Sequence, residues 1–411
     1  MTWGARRGLC VWWAAACAGL GAPALGAPLT IVARNSVTIG PSAVNQFGTL
    51  FTIAGMSGVC HEAGDVFLAV MDNSNKVVRL RVGVSPTDGL ITGAEVLPSL
   101  SVGETRDFEG VALVPPGGGP GIMLADETMP GVTRWDSAAG TLFSSLGVPP
   151  VFAARRANLG FESMTSGTGP SGLPELWTCN EEALTVDGAV SSASAGTTVR
   201  LLRYVNAGAG PVAVQQFAYV TDPWHGSAIS GARSGVNDLV LLPDGRLLAV
   251  ERSLALSAEG LFRTRIYEVS FSAATDVSAL PALLGASYTS VGKTLLWTGY
   301  EQNIEGVCVG QAIGSPGSVA LVGVVDDGDP ISENRVYSWQ LSGLGPAACA
   351  FDLNRDGQRD TADLVLLLSR FGQPMAAGGG LFPAGDLNFD GAVNTADLVL
   401  LLNSFGRACP G

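Results

Sequence analysis

Five stretches between residues 55 and 310 open alike, with a short apolar run that carries a polar or acidic residue near its start. They are GMSGVC (55–60), DFEGVALV (107–114), GFESMTS (160–166), GVNDLVLL (235–242) and NIEGVCVG (303–310). Each leads through a turn into a second apolar run that ends in acids or amides: VFLAVMDN (66–73), GIMLADET (121–128), ELWTCNEE (175–182), RLLAVERS (246–253) and VALVGVVDD (319–327). A third run carries an aromatic residue or Arg, as in VVRLRV, VTRWD, VRLLRYV, RIYEVSF and RVYSWQL. Short apolar runs rich in Val, Leu and aromatic residues and bounded by turn formers are strands rather than helices. Three or four such strands, recurring every roughly 45 to 70 residues, make the blade of a propeller. The pattern yields five blades directly. A sixth is expected from the N-terminal strands near 29–53 joined to the segment near 285–299. The fold expected is therefore an all-β propeller of about six blades, between five and seven. A β-sandwich accounts for the strands but not for the acid that recurs at the first strand of successive units.

That recurrence has a chemical consequence. The innermost strands of a propeller run along a central channel, so Glu109, Glu162, Asp238 and Glu305 are expected to form a ring there. The acids that end the second strands, Asp72, Asp126, Glu127, Glu181, Glu251, Asp326 and Asp327, then gather at one mouth. Any one of them alone reads as a strand cap. Together they stay charged only if cations or Arg side chains compensate them, so a divalent ion, calcium, is expected in the channel.

The C-terminal segment has a different period. The loop DLNRDGQRDTAD (352–363) and its continuation LVLLLSRFG recur as DLNFDGAVNTAD (386–397) with LVLLLNSFG, at a period of roughly 34 residues. Calcium takes six to eight oxygen ligands, and a 12-residue loop offers them at positions 1, 3, 5, 7, 9 and 12. In the first loop these are Asp352, Asn354, Asp356, the carbonyl of Gln358, Asp360 and Asp363; in the second, Asp386, Asn388, Asp390, the carbonyl of Ala392, Asn394 and Asp397. Gly357 and Gly391 make the sharp turn. Two calcium ions and one helix after each loop are expected, in a small α-helical module spanning 347–411. The propeller body then spans 28–346.

Composition narrows the partners. With 36 acidic against 23 basic residues and a formal charge of -13, the chain is a poor match for a phosphate backbone, so no nucleic-acid partner is expected. Residues 1–27 read as a secretory signal: Arg6 and Arg7, an apolar stretch from Leu9 to Leu20, and small residues at Ala22, Ala24 and Ala27. No later run reaches the roughly 18 to 20 apolar residues of a membrane span. A secreted or cell-surface protein is expected. In that compartment Cys349 and Cys409, which bracket the calcium loops, are expected to pair, while Cys60, Cys179 and Cys308 read as buried thiols.

Two resemblances add to this reading. Position 12 is Asp in both loops where an EF-hand has Glu, and no helix precedes either loop; the segment resembles a type I dockerin pair. The resemblance implies docking to a cohesin or another cell-surface partner. In the body, FEGVAL, GFESM, LWTCNEE, VNDLVLLPDGRLLAVERS, RIYEVSFSAATDVSAL, NIEGVCV and VVDDGD fall in the order of the phytase-like domain, over roughly 50–342. That resemblance implies a secreted propeller that hydrolyses a small phosphate or carboxylic ester. It places the site on Glu109, Glu162, Asp238, Glu251, Arg252, Glu305, Asp326 and Asp327, with Arg252 gripping phosphate and a ring glutamate activating water. The competing expectation is a non-catalytic propeller that binds a ligand at its channel mouth. A serine hydrolase is disfavoured, because no G-x-S-x-G elbow occurs and only His61 and His225 offer a base.

Overall fold

The computed structural model describes Met1 and residues 27–114, 121–170, 172–206, 210–314, 316–345, 351–354, 358–372, 385, 387 and 393–407. The chain starts with strand β1 (Thr30–Thr38) and a small hairpin, β2 (Ser42–Val44) and β3 (Leu50–Thr52). Blade 1 follows as β4 (Met56–Ala63), β5 (Val66–Met71), β6 (Ser74–Val84) and β7 (Ile91–Arg106). Blade 2 comprises β8 (Phe108–Leu113), β9 (Ile122–Asp126), β10 (Gly131–Trp135) and β11 (Leu142–Ser145). Blade 3 comprises β12 (Thr165–Thr168), β13 (Pro174–Cys179), β14 (Thr198–Asn206) and β15 (Pro211–Val220). Blade 4 comprises β16 (Arg233–Leu241), β17 (Leu247–Leu254), β18 (Phe262–Ser270) and β19 (Gly292–Gly299). Blade 5 is built from β20 (Ile304–Ala312), β21 (Ser318–Val325) and β22 (Arg335–Ser342), with β1 as its outer strand.

The second strand of each blade is sandwiched between the neighbouring blades and is buried on both faces. This is why β5, β9, β13, β17 and β21 read as almost continuous apolar runs rather than as alternating ones. Each gap between blades holds its own core. Phe67 and Leu80 meet Ala320 and Val322 between blades 1 and 5. Leu68 and Val70 meet Phe108 and Trp135 between blades 1 and 2. Met123 and Ala125 meet Leu176 and Tyr204 between blades 2 and 3. Trp177 and Phe217 meet Leu239 and Phe271 between blades 3 and 4. Val250 and Ile266 meet Val307 and Trp339 between blades 4 and 5. Five gaps close the ring.

The expected sixth blade is not formed. Instead β1 pairs antiparallel with β22, from Thr30 opposite Ser342 to Thr38 opposite Arg335, and so covers the edge that β22 would otherwise expose. The segment near 285–299 supplies β19, which completes blade 4 against β18. A turn of blade 4 holds this closure from outside. Arg246 donates to Asp244 Oδ2 at 2.6 Å, to the Gly343 carbonyl at 2.7 Å and to the Ala27 carbonyl at 3.3 Å. Asp244 Oδ2 in turn accepts from the Gly345 amide at 2.9 Å.

In the C-terminal segment two helices, α1 (Thr361–Leu368) and α2 (Thr395–Ser404), bury Leu367, Leu387, Val393 and Leu401 between them. Asp360 and Asn394 cap the helices, each accepting at 2.7 Å from the amide two residues on, Ala362 and Ala396. Asp363 and Asp397 are fully buried and accept amides from the start of their own loops, Leu353 at 2.6 Å and Leu387 at 2.5 Å. The repeats also cross-link in register: the Gly372 amide donates to the Val393 carbonyl and the Gly406 amide to the Arg359 carbonyl, both at 2.7 Å. Asp352 is buried, Asn354 is half-buried and Gln358 is exposed. Asp356, Asp386, Asn388, Asp390, Ala392, the Cys349 and Cys409 pair and most of the expected signal segment lie outside the described residues. Among the described residues no helix is long and apolar enough to cross a membrane.

Candidate functional site

A β-bulge near the start of the inner strand builds the mouth of the channel. The register against the second strand slips by one residue at Glu109, at Asn237 and at Glu305, and across Ser57 and Gly58 in blade 1. A bulge re-aims the side chain that it leaves unpaired. Ser57, Glu109, Glu162 and Glu305 all line one polar cleft of about 200 Å³, together with Asp72, Asn303, Asp326, Arg233 and Arg252. In blades 2 and 5 the residue after the bulge faces the next inner strand so closely that glycine is needed. A Cβ on Gly110 would stand 2.5 Å from the Ser163 carbonyl carbon, and one on Gly306 would stand 2.4 Å from Ser57 O.

This corrects the expected ring. The position equivalent to Glu109, Glu162 and Glu305 is held in blade 4 by Asn237, and Asp238 sits one residue further along. Asp238 is fully buried, where it accepts the Val307 amide at 2.8 Å and ties blade 4 to blade 5. Burial pushes its carboxyl well above the usual range, although three backbone amides work the other way.

The acids of the mouth gather in two groups. Carboxylate oxygens of Asp72, Asp107 and Glu109 lie within 4.8 Å of one another, as do those of Glu127, Glu162 and Glu181. Burial, reinforced by neighbouring carboxylates, raises Asp72 to about 6 and Glu127 to about 8, and raises Glu109 and Glu162 well above the ordinary range. Glu305 is raised to about 7 by burial, against the pull of Arg252. Arg252 bridges the second group to blade 5. It donates to Glu181 Oε1 at 2.9 Å, to Asn303 Oδ1 at 2.8 Å and to Glu305, which also accepts from Asn237. Arg233 reaches Glu181 Oε1 at 3.3 Å and is one-third exposed to the cleft. Among the described residues nine carboxylates (Asp72, Asp107, Glu109, Glu127, Glu162, Glu181, Glu305, Asp326 and Asp329) thus gather at this mouth with two guanidinium groups. Each triad also keeps one buried oxygen without a hydrogen-bond donor, Asp107 Oδ1 in one and Glu181 Oε2 in the other. Buried carboxylates with orphaned oxygens and too little positive charge are a donor set suited to a hard divalent cation.

Of the residues expected at the site, the structure brings together Glu109, Glu162, Arg252, Glu305 and Asp326. It places three elsewhere. Glu251 points away from the cleft into a buried network between blades 3 and 4, accepting from Lys293 at 2.6 Å, Tyr219 at 2.7 Å and the Asp222 amide at 2.9 Å. Asp327 serves as a latch: it accepts from the Gly55 amide at 2.8 Å and from Asn334 at 2.9 Å. Asp238 has the inter-strand role described above. Asp107, Asn237 and Asn303 were missed because no carboxylate marks the equivalent position in every blade. Arg233 is a further cationic candidate in the sequence that reads there as a solvated loop residue, because its neighbours look like a turn; in the structure it lines the cleft. Asp126, also expected at the mouth, accepts from the Met129 amide at 3.0 Å and from Arg106 at 3.3 Å. Ser163 is paired with Cys179 at 3.3 Å, and the fully buried Ser253 is the partner of His225, so neither serine faces the cleft.

No curated protein matches the chain in sequence. Among solved structures it is similar to the endo-arabinase from Bacteroides thetaiotaomicron, with a TM-score of 0.39 and 10% identity over 76% of this chain and 100% of that one. A luciferin-regenerating enzyme follows at TM-score 0.31 and 13% identity, over 72% of this chain and 94% of that one. The Dos1 propeller aligns at TM-score 0.31 and 13% identity over 69% of this chain, which spans only 56% of that chain. Similarity at this level carries no argument about function. The phytase-like family, described as having the esterase-like activity of phytase, matches residues 52–329, a segment that contains all nine carboxylates of the mouth, and the chain belongs to that family.

Proposed function

We propose that the protein is an exported, calcium-dependent phosphomonoester hydrolase that works at the acidic mouth of the propeller and is tethered by its C-terminal module. The observation that carries this reading is the pair of buried carboxylate triads, each with an orphaned oxygen, beside a guanidinium one-third exposed to the cleft. Asp72, Asp107 and Glu109 would hold one cation and Glu127, Glu162 and Glu181 a second. Such ions supply charge neutralisation at the phosphoryl oxygens. The remaining work falls to the chain's own residues. Arg233, with its exposed face, anchors the phosphate, because Arg252 is occupied by Glu181, Glu305 and Asn303. Glu305 holds a proton affinity near neutrality and is oriented by Arg252 and Asn237, so it takes the proton of the attacking water. As the water oxygen bonds to phosphorus the P–O bond to the alcohol breaks, and the departing alkoxide takes a proton from solvent.

The test is phosphate release from p-nitrophenyl phosphate by the purified protein with calcium. Glu305→Gln should abolish release, and Arg233→Ala should raise KM more than it lowers kcat. Absence of turnover across phosphate and carboxylic esters would instead establish a non-catalytic binding propeller, the reading favoured by the engagement of both terminal nitrogens of Arg252 with Asn303, Glu305 and Glu181.

The tail supports a tethering role through a duplicated surface. Val365, Leu368 and Phe371 on the first repeat and Val399, Leu402 and Phe405 on the second are all exposed, at matching positions of the two repeats. Exposed apolar side chains in this arrangement suit a protein partner of cohesin type on an extracellular surface.

A further inference from the structure

Beside the two triads lies a second, larger cleft of about 490 Å³, walled by Met129, Pro130, Val148 and Ala153 and edged by Thr128 and Arg155. The β9–β10 turn joins it directly to the site. Three consecutive residues have three different duties there. Glu127 belongs to one triad. The Thr128 hydroxyl donates to Asp107 Oδ2 of the other triad at 2.6 Å. Met129, 65% exposed, faces the cleft. The opposite wall is the short 3-10 segment Pro150–Ala154, whose Phe152 is buried and fixes it to the body of the protein. A large exposed Met beside prolines and valine is an apolar surface kept open at a functional mouth.

The charges around it decide what fits. Arg155 is the cleft's one cationic lining residue, and its guanidinium is already bonded to the carbonyls of Thr128 and Arg156. The adjoining mouth carries nine carboxylates against Arg233 and Arg252. A ligand with many phosphates would need a counter-charge on every one of them, whereas a single phosphoryl group needs only the triads and Arg233.

Resting on the hydrolase reading above, we infer that this cleft binds the alcohol half of the substrate, and that the substrate class is a phosphomonoester with one anionic head and an apolar body. A calorimetric titration of the calcium-loaded full chain with two non-hydrolysable probes, 1-naphthylmethylphosphonate and methylphosphonate, tests it. Burial of the ring against Met129 and Ala153 should make the naphthyl probe bind about tenfold tighter. Ala153→Glu places a charge on an exposed position of that wall and should bring the ratio of affinities close to one; Met129→Ala should reduce it by about threefold. Equal affinities, a ratio untouched by Ala153→Glu, or no binding of either probe overturns the inference. Phosphate release measured in parallel separates the two readings. An intact ratio without release sinks hydrolysis and leaves the cleft assigned, and release with a ratio of one sinks the cleft alone.

Discussion

Arg252 is 5% exposed and is shared among Glu181, Glu305 and Asn303, so its charge serves the protein before it serves any substrate. Removing it strands Glu305 and leaves the buried Glu181 with Arg233 alone. Arg252→Met should therefore cost about 3 kcal/mol, read as a shift of the denaturation midpoint. Calcium should return part of that loss by supplying the missing charge. The same carboxylates predict how stability depends on pH. Burial holds Asp72, Glu305 and Glu127 protonated up to about 6, 7 and 8 in the folded state. In the unfolded chain they ionise near about 4. Between those limits the folded state binds the extra protons, so stability falls as pH rises and levels off once Glu127 has ionised. In chelator, Tm should drop from about pH 5 to about pH 8; with calcium, which binds the ionised form, the drop should vanish. A Tm that climbs with pH in chelator would contradict this assignment.

The bulged start of the inner strand is the element that makes the mouth, and it was only half legible in the sequence. FEGVAL, GFESM and NIEGVCV betray it because their Glu is retained, but blade 4 offers Asn237 and Asp238 side by side and blade 1 offers Ser57. Apolar spacing cannot say which of two adjacent polar residues a bulge turns into the channel. The blade pattern itself was readable because burial on both faces writes each second strand as an unbroken apolar run. The outer strands, half exposed and weakly apolar, left no such mark, and β1 and β19 were therefore assigned to a blade that does not exist. Glycine after the bulge carries its own prediction. Gly110→Ala forces a Cβ to 2.5 Å from the backbone of Ser163 and should destabilise the protein by about 2 kcal/mol or more. Gly93→Ala on β7, with nothing within 4 Å, should be close to neutral in the same denaturation assay.

At the scale of the whole molecule the ring has one seam, the β1–β22 ladder, and its residues lie outside the segment 52–329 that the family match covers. A chain beginning at residue 40 should lose cooperative unfolding, because β22 would be left as an open edge beside Val336, Trp339 and Leu341, which are buried. The tail makes a separate prediction. Calorimetry should count two fewer calcium ions after Asp352→Ala and Asp386→Ala together. If both substitutions leave the stoichiometry intact, the loops are not calcium sites.

The seam also decides how the molecule answers a pull. Thr30 and Ser342 face each other at one end of the ladder, so the two ends of the propeller leave it side by side. A load drawn between them peels the ladder one rung at a time and never shears it as a block. The first thing to give is the turn from blade 4 that grips Ala27, Gly343 and Gly345 through Arg246 and Asp244. Resistance to tension in this ring is set by one loop that belongs to neither strand of the seam.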